Sequence, residues 1–129
     1  MTLKESYEPS AVASVNSVLS AEKIYFSTFD RGYSRTLKEI GPPDAGQKPS
    51  ISGADLIDHV MAKGKKSGYF ILYFPGPQGA DGKVSSFTIQ ARPYVYKELS
   101  RASFFADESG AIYFTIDDRA ANAKDQKLI

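Results

Sequence analysis

Residues 10–29 read SAVASVNSVLSAEKIYFSTF, and the spacing of their apolar side chains decides the first half of the fold. Large or branched residues return at Val12, Val15, Val18/Leu19, Tyr25/Phe26 and Phe29, with Ala11 and Ala21 filling in. A three-and-four spacing is the period of an α-helix with one apolar stripe. The opposite face carries Ser14, Ser17, Ser20 and Lys23, with Glu22 near the seam. Pro9 stands at the edge, where a missing N–H removes no helical bond, and Ser10 is a capping residue type. Asp30-Arg31-Gly32 closes the helix, with Gly32 suited to a left-handed cap. Such a stripe predicts a helix lying on a sheet.

Beyond the helix, two adjacent prolines and several glycines between Tyr33 and Ser52 forbid long regular structure, leaving room for one helical turn within Ser34–Ile40. A second, shorter helix is predicted from Gly53 to Lys63, capped by Ser52, with Leu56, Ile57, Val60 and Met61 on one face and Gly64 at its end. The period then changes. Tyr69-Phe70-Ile71-Leu72-Tyr73-Phe74 is an unbroken apolar run of the kind found in central strands. Pro75–Lys83 is a glycine-rich loop. Val84–Arg92 alternates, with Phe87, Ile89 and Ala91 inward and Thr88, Gln90 and Arg92 outward, until Pro93 stops the ladder. Tyr94–Arg101 is looser. Ser103-Phe104-Phe105 and Ala111-Ile112-Tyr113-Phe114 flank the turn Asp107-Glu108-Ser109-Gly110. The expected class is therefore α+β: an N-terminal amphipathic helix packed on a 3–4-stranded antiparallel sheet, with a short second helix in the connecting region. The expected division is an extension (residues 1–9), a domain (10–116) and a polar, flexible tail (117–129).

Composition narrows the function classes. The 129 residues carry a formal net charge of +1, against the one-signed basic surface that nucleic-acid binding requires, so no nucleic-acid partner is expected. No apolar run approaches the ~18–20 residues of a membrane span, and the first ten residues lack the apolar core of a signal peptide. Cysteine is absent, which removes disulfides, thiolate metal sites and thiol nucleophiles. Eight Tyr and eight Phe stand in for the missing tryptophan as core-filling rings.

Searching for chemistry yields short matches and no constellation. Ser14-Val15-Asn16, Ser20-Ala21-Glu22-Lys23 and Lys66-Ser67-Gly68 fit the three motifs of serine β-lactamases and penicillin-binding proteins. Their order is wrong, two of them share one helix, and the chain is about half the length that fold needs. His59, the one histidine, is expected to pair at i,i+4 with Asp55 on a helix surface. It has no nucleophile to serve, and one histidine with aspartates is thin for zinc. Asp81, Asp107, Glu108, Asp117 and Asp118 are turn-forming loop carboxylates without the ligand spacing of a calcium loop. Lys63, Lys65 and Lys66 suit the end of the second helix. No catalytic, cofactor-binding or metal-ligating residue is assigned, and no cofactor is expected. The residues singled out are those expected to pack helix on sheet: Val12, Val15, Leu19, Phe26, Phe29, Phe87 and Ile89.

As a set, the segments resemble a known family. Ser10–Phe26 resembles the second half of the long helix of bacterial type IV pilins and type II secretion pseudopilins. Phe29-Asp30-Arg31-Gly32-Tyr33-Ser34 resembles the glycine-and-tyrosine loop after it, and Gly68–Tyr73 the first sheet strand. Ser103–Ile112 resembles the closing hairpin, where F-x-x-D-x-S/T-G-x-I recurs. The likeness covers residues 10–116. It implies a structural filament subunit, located outside the cytoplasm and acting by packing and surface display. Its partners would be other pilin subunits, and its only membrane contact an apolar N-terminal half-helix. Here that apolar half-helix is missing, and Glu5, in a polar stretch, does not match its glutamate. The expectation is a truncated subunit, or a half-helix supplied by a separate short hydrophobic chain. The chain alone is expected to be a soluble monomer. The alternative is a small extracytoplasmic binding module using loops 41–52 and 75–83.

Overall fold

In the computed structural model, which describes residues 8–96 and 101–128, the order of elements is helices first and then an antiparallel meander. Helix α1 spans Glu8–Thr28, α2 Leu37–Ile40 and α3 His59–Ala62. The strands are β1 Lys65–Lys66, β2 Tyr69–Pro75, β3 Phe87–Pro93, β4 Ser103–Asp107, β5 Ile112–Thr115 and β6 Gln126–Lys127, lying side by side in that order. The α+β class stands. The sheet has six strands where 3–4 were expected, because two-residue strands, too short to show a period, flank the four main ones.

The core lies between α1 and one face of the sheet. Ala11, Val15, Val18, Glu22 and Tyr25 form the buried stripe of α1. Against it stand Tyr69 and Ile71 of β2, Phe87, Ile89 and Ala91 of β3, Phe104 and Ala106 of β4, and Ile112 and Phe114 of β5. Val12 and Phe29 are half-buried against this core, while Val15, Leu19, Phe87 and Ile89 are buried in it. Phe26 is a correction: it is 48% exposed, because the stripe passes through Tyr25 and a residue one position further lies about 100° round the helix. Its ring rests on Tyr33 instead, with centroids 4.8 Å apart.

Three further expectations change. Helix α1 begins at Glu8, so Ser10 is inside it rather than its cap. The second helix shrinks from Gly53–Lys63 to His59–Ala62, with Asp58 rather than Ser52 as its cap. Asp55 has φ +59°, and the N–H groups of Ala54, Asp55, Leu56 and Ile57 donate to carbonyls of Glu39, Gly41 and Ile40. Donors committed to a distant segment cannot make helical bonds. Finally, the polar tail is built into the fold. Strand β6 pairs with β5, Ala121 is buried, and Arg119 holds Asp125 at 2.5 Å. That cation pulls the Asp125 carboxyl down to about 2.

Two features on which the family resemblance rested have geometric duties. Gly32 has φ +83° and lies against β-bridge partner Val84 so closely that a Cβ there would stand 2.0 Å from the Val84 carbonyl oxygen. In the β4–β5 turn, Asp107 Oδ1 accepts from the Ser109 N–H at 3.0 Å and its hydroxyl at 2.5 Å, and Gly110 takes φ +85°. Aspartate, hydroxyl and glycine in that order build one turn.

Candidate functional site

Buried charge is the first place to look for chemistry, and α1 buries two carboxylates in its core stripe. Glu22 is fully buried. It accepts from the Ser34 N–H at 2.8 Å and the Ser34 hydroxyl at 2.5 Å, while the Tyr73 hydroxyl donates to the Ser34 carbonyl at 2.6 Å. Burial pushes the Glu22 carboxyl above the usual carboxylate range, only partly offset by the two Ser34 bonds. Burial, followed by the nearby Glu22 charge, raises the Tyr73 hydroxyl. Fourteen residues earlier, Glu8 Oε1 accepts from the Ala102 N–H at 3.2 Å, and the Tyr69 hydroxyl donates to the Ala102 carbonyl at 2.8 Å. These clusters have an acid and a hydroxyl side by side, yet in each the acid itself is buried and offers a substrate no approach. They fasten chain segments: each acid satisfies a backbone N–H that no strand partner reaches.

The short motifs do not assemble. Ser14 is buried and Ser20 exposed on the same helix, and Lys66 Nζ is held by Asp58 at 3.2 Å. His59 is exposed at the start of α3, and Asp55 lies outside any helix, so the expected i,i+4 pair does not form. Asp58 caps that helix instead, through the Met61 N–H at 2.8 Å. Lys65 and Lys66 lie in β1 rather than at a helix end. Among the described residues no group of three or more His, Asp or Glu gathers as a metal site, and no helix is long and apolar enough to cross a membrane.

Two surfaces remain. The loop at 41–53 borders a half-open cleft of about 710 Å³ lined by Lys38, Asp44, Gln47, Lys48, Ser50 and Ser52. One wall is pinned to α1 by the Tyr25 hydroxyl, which donates to the Ile51 carbonyl at 2.8 Å. Neither Lys38 nor Lys48 forms an ion pair among the described residues, so the lining leans cationic. The second surface is the face of the sheet turned away from α1, which exposes Phe70, Leu72 and Phe74. The first overlaps a loop expected from sequence. The second was missed, because an unbroken apolar run reads as a strand covered on both faces.

No protein-family model, curated protein or solved structure matches the chain. The functional reading therefore stands on this geometry and on the sequence resemblance.

Proposed function

We propose that this chain is the globular domain of a filament subunit of the type IV pilus or type II secretion pseudopilus kind, working outside the cytoplasm by packing and display. The observation that carries the reading is the way α1 is held. Its apolar stripe follows the sheet, and a buried acid in each half ties it to a separate segment, Glu8 to Ala102 and Glu22 to Ser34. A 21-residue helix fastened in both halves is a strut, able to pass load from a filament core to the sheet. Gly32 and the Asp107–Gly110 turn support the reading, since the residues of the resemblance have structural work to do. Partners would be other subunits, or a separate short hydrophobic chain continuing α1.

The test joins an apolar pilin half-helix ahead of Thr2, in helical register, in a cell with pilus machinery. The fusion should appear in sheared surface filaments. A fusion that is folded and membrane-inserted but never enters filaments overturns the reading.

One observation favours a second reading, a binding module: the cleft at 41–53 with two lysines that form no ion pair among the described residues. That reading expects small anions such as phosphate or citrate to raise the melting temperature, and a Lys38→Ala/Lys48→Ala variant to lose the effect. The filament reading expects the same variant to assemble normally.

A further inference from the structure

Strand β2 is paired along one edge over its whole length by β3, and along the other only at its start, by β1. The amides fix which backbone groups point where. Tyr94 N–H donates to the Gly68 carbonyl and Gly76 N–H to the Ser86 carbonyl, each at 2.8 Å, so the even-numbered residues of β2 turn to β3. The odd-numbered ones turn to the opposite edge, where Ile71 N–H reaches the Gly64 carbonyl at 2.7 Å. Before Gly64, at φ +79°, the chain is coiled into α3, so β1 has no residue to set beside Tyr73. Among the described residues the Tyr73 N–H and C=O have no hydrogen bond, and Pro75 adds a carbonyl on the same edge but no N–H. The Tyr73 side chain, in contrast, is fixed inward by its hydroxyl bond to Ser34. This bare edge opens onto a groove of about 260 Å³ between β2 and the α2–α3 corner. Leu37, Ala62 and Ile71 line it, as do Arg35 and Lys63. Both cations are exposed, and neither forms an ion pair among the described residues. The carboxylates of α2 and of the α3 cap are engaged elsewhere: Glu39 accepts from the Arg35 N–H at 2.7 Å, and Asp58 from the Met61 N–H and Lys66 Nζ.

We propose that this edge binds an extended segment of a partner protein as an added strand, an acidic residue between two apolar ones. The backbone supplies the attachment. A residue set opposite Tyr73 exchanges two hydrogen bonds with it, and in the antiparallel sense the residue two before it donates to the Pro75 carbonyl. The pleat and the charges then specify the side chains. That central residue points to the Tyr73 side of the sheet, toward Arg35 and Lys63, so a carboxylate is selected there. Its two neighbours fall on the outer face beside Leu72 and Phe74, which are 41% and 51% exposed and gain cover from apolar side chains. A second copy of this chain fits the edge poorly. Paired about Tyr73 it makes only two backbone bonds, since Ile71 N–H is taken and Pro75 has none, and it sets the Arg35–Lys63 groove against its own image, cation on cation. Short length and a proline keep whole sheets from adding while leaving room for one short strand. This inference is independent of the filament reading.

The test is amide NMR of the ¹⁵N-labelled chain with the capped peptide Ser-Val-Glu-Val-Ser added to about 2 mM. In the free protein the Tyr73 amide should exchange with solvent ~10-fold or more faster than those of Leu72 and Phe74, which bond to β3. The peptide should shift the Tyr73 amide and slow its exchange ~10-fold. A peptide with Lys in place of Glu, or with the Glu nitrogen methylated, should bind ~10-fold more weakly. An Arg35→Ala/Lys63→Ala variant, changed only at exposed positions, should keep its melting temperature and lose affinity for the Glu peptide by a similar factor. A Tyr73 amide as slow as its neighbours in the free protein, or unmoved by the peptide, overturns the edge site. Equal binding of the Glu and Lys peptides overturns the acidic partner. A Tyr73 shift that grows with protein concentration alone replaces the peptide by a second copy.

Discussion

Glu22 occupies a position where the helical period calls for an apolar side chain, and its consequences are testable by pH. Its folded carboxyl prefers the proton more than the unfolded one does, since burial dominates. A raised acid adds stability that is complete below the unfolded pKa and is lost as pH climbs through the folded one. Asp30, Asp58 and Asp125 are shifted down by Lys83, by the Met61 N–H and by Arg119, and act in the opposite sense, losing stability as pH falls. Glu22→Gln keeps an acceptor for the Ser34 N–H and removes the charge. Its melting temperature relative to wild type should therefore rise as pH climbs from the unfolded value of about 4.5 to the raised folded one, and level off above it. A difference flat between acid and neutral pH would show that the burial of Glu22 has no proton linkage. Aromatic truncations give a second test at this scale. Phe104 is fully buried, so Phe104→Ala should cost about 3–5 kcal/mol in urea unfolding. Phe26, half exposed and touching Tyr33, should cost about 1 kcal/mol or less on truncation. Equal losses from the two would return Phe26 to the core.

At the scale of elements, the tail offers the clearest prediction. A chain ending at Ile116 loses buried Ala121, the Leu128 contact with the core and the cover that β6 gives β5. By the apolar surface uncovered, it should be about 2–3 kcal/mol less stable, read as a lower urea midpoint. An unchanged midpoint would make the segment dispensable. This element was illegible in the sequence for a physical reason: two-residue strands have no period, and Gln126–Lys127 is polar. The patterned elements α1, β2, β3 and the β4–β5 hairpin were legible. The second helix failed differently. Leu56, Ile57, Val60 and Met61 have helical spacing, but the backbone donors of 54–57 are taken by residues 39–41, a long-range commitment no local pattern displays. The candidate surfaces divide the same way. A proline- and glycine-rich loop announces an irregular region where a cavity can form, whereas the exposure of Phe70, Leu72 and Phe74 depends on how many layers cover the sheet.

For the whole molecule, the decisive fact is that helix and sheet share one core. Tyr25 from α1 and Tyr69, Phe104 and Ile112 from the sheet are buried together, so neither layer keeps its apolar face covered without the other. The two buried acids reinforce this, because removing α1 would strip the Ser34 and Ala102 N–H groups of their acceptors. A strut that transmits load must not detach before the sheet fails. Urea unfolding followed by circular dichroism, which reports mainly α1, should therefore coincide with unfolding followed by tyrosine fluorescence, which samples all eight tyrosines in the absence of tryptophan. A helical signal lost at lower urea than the tyrosine signal would mean that α1 peels from a self-sufficient sheet, and the strut reading would lose its mechanical basis.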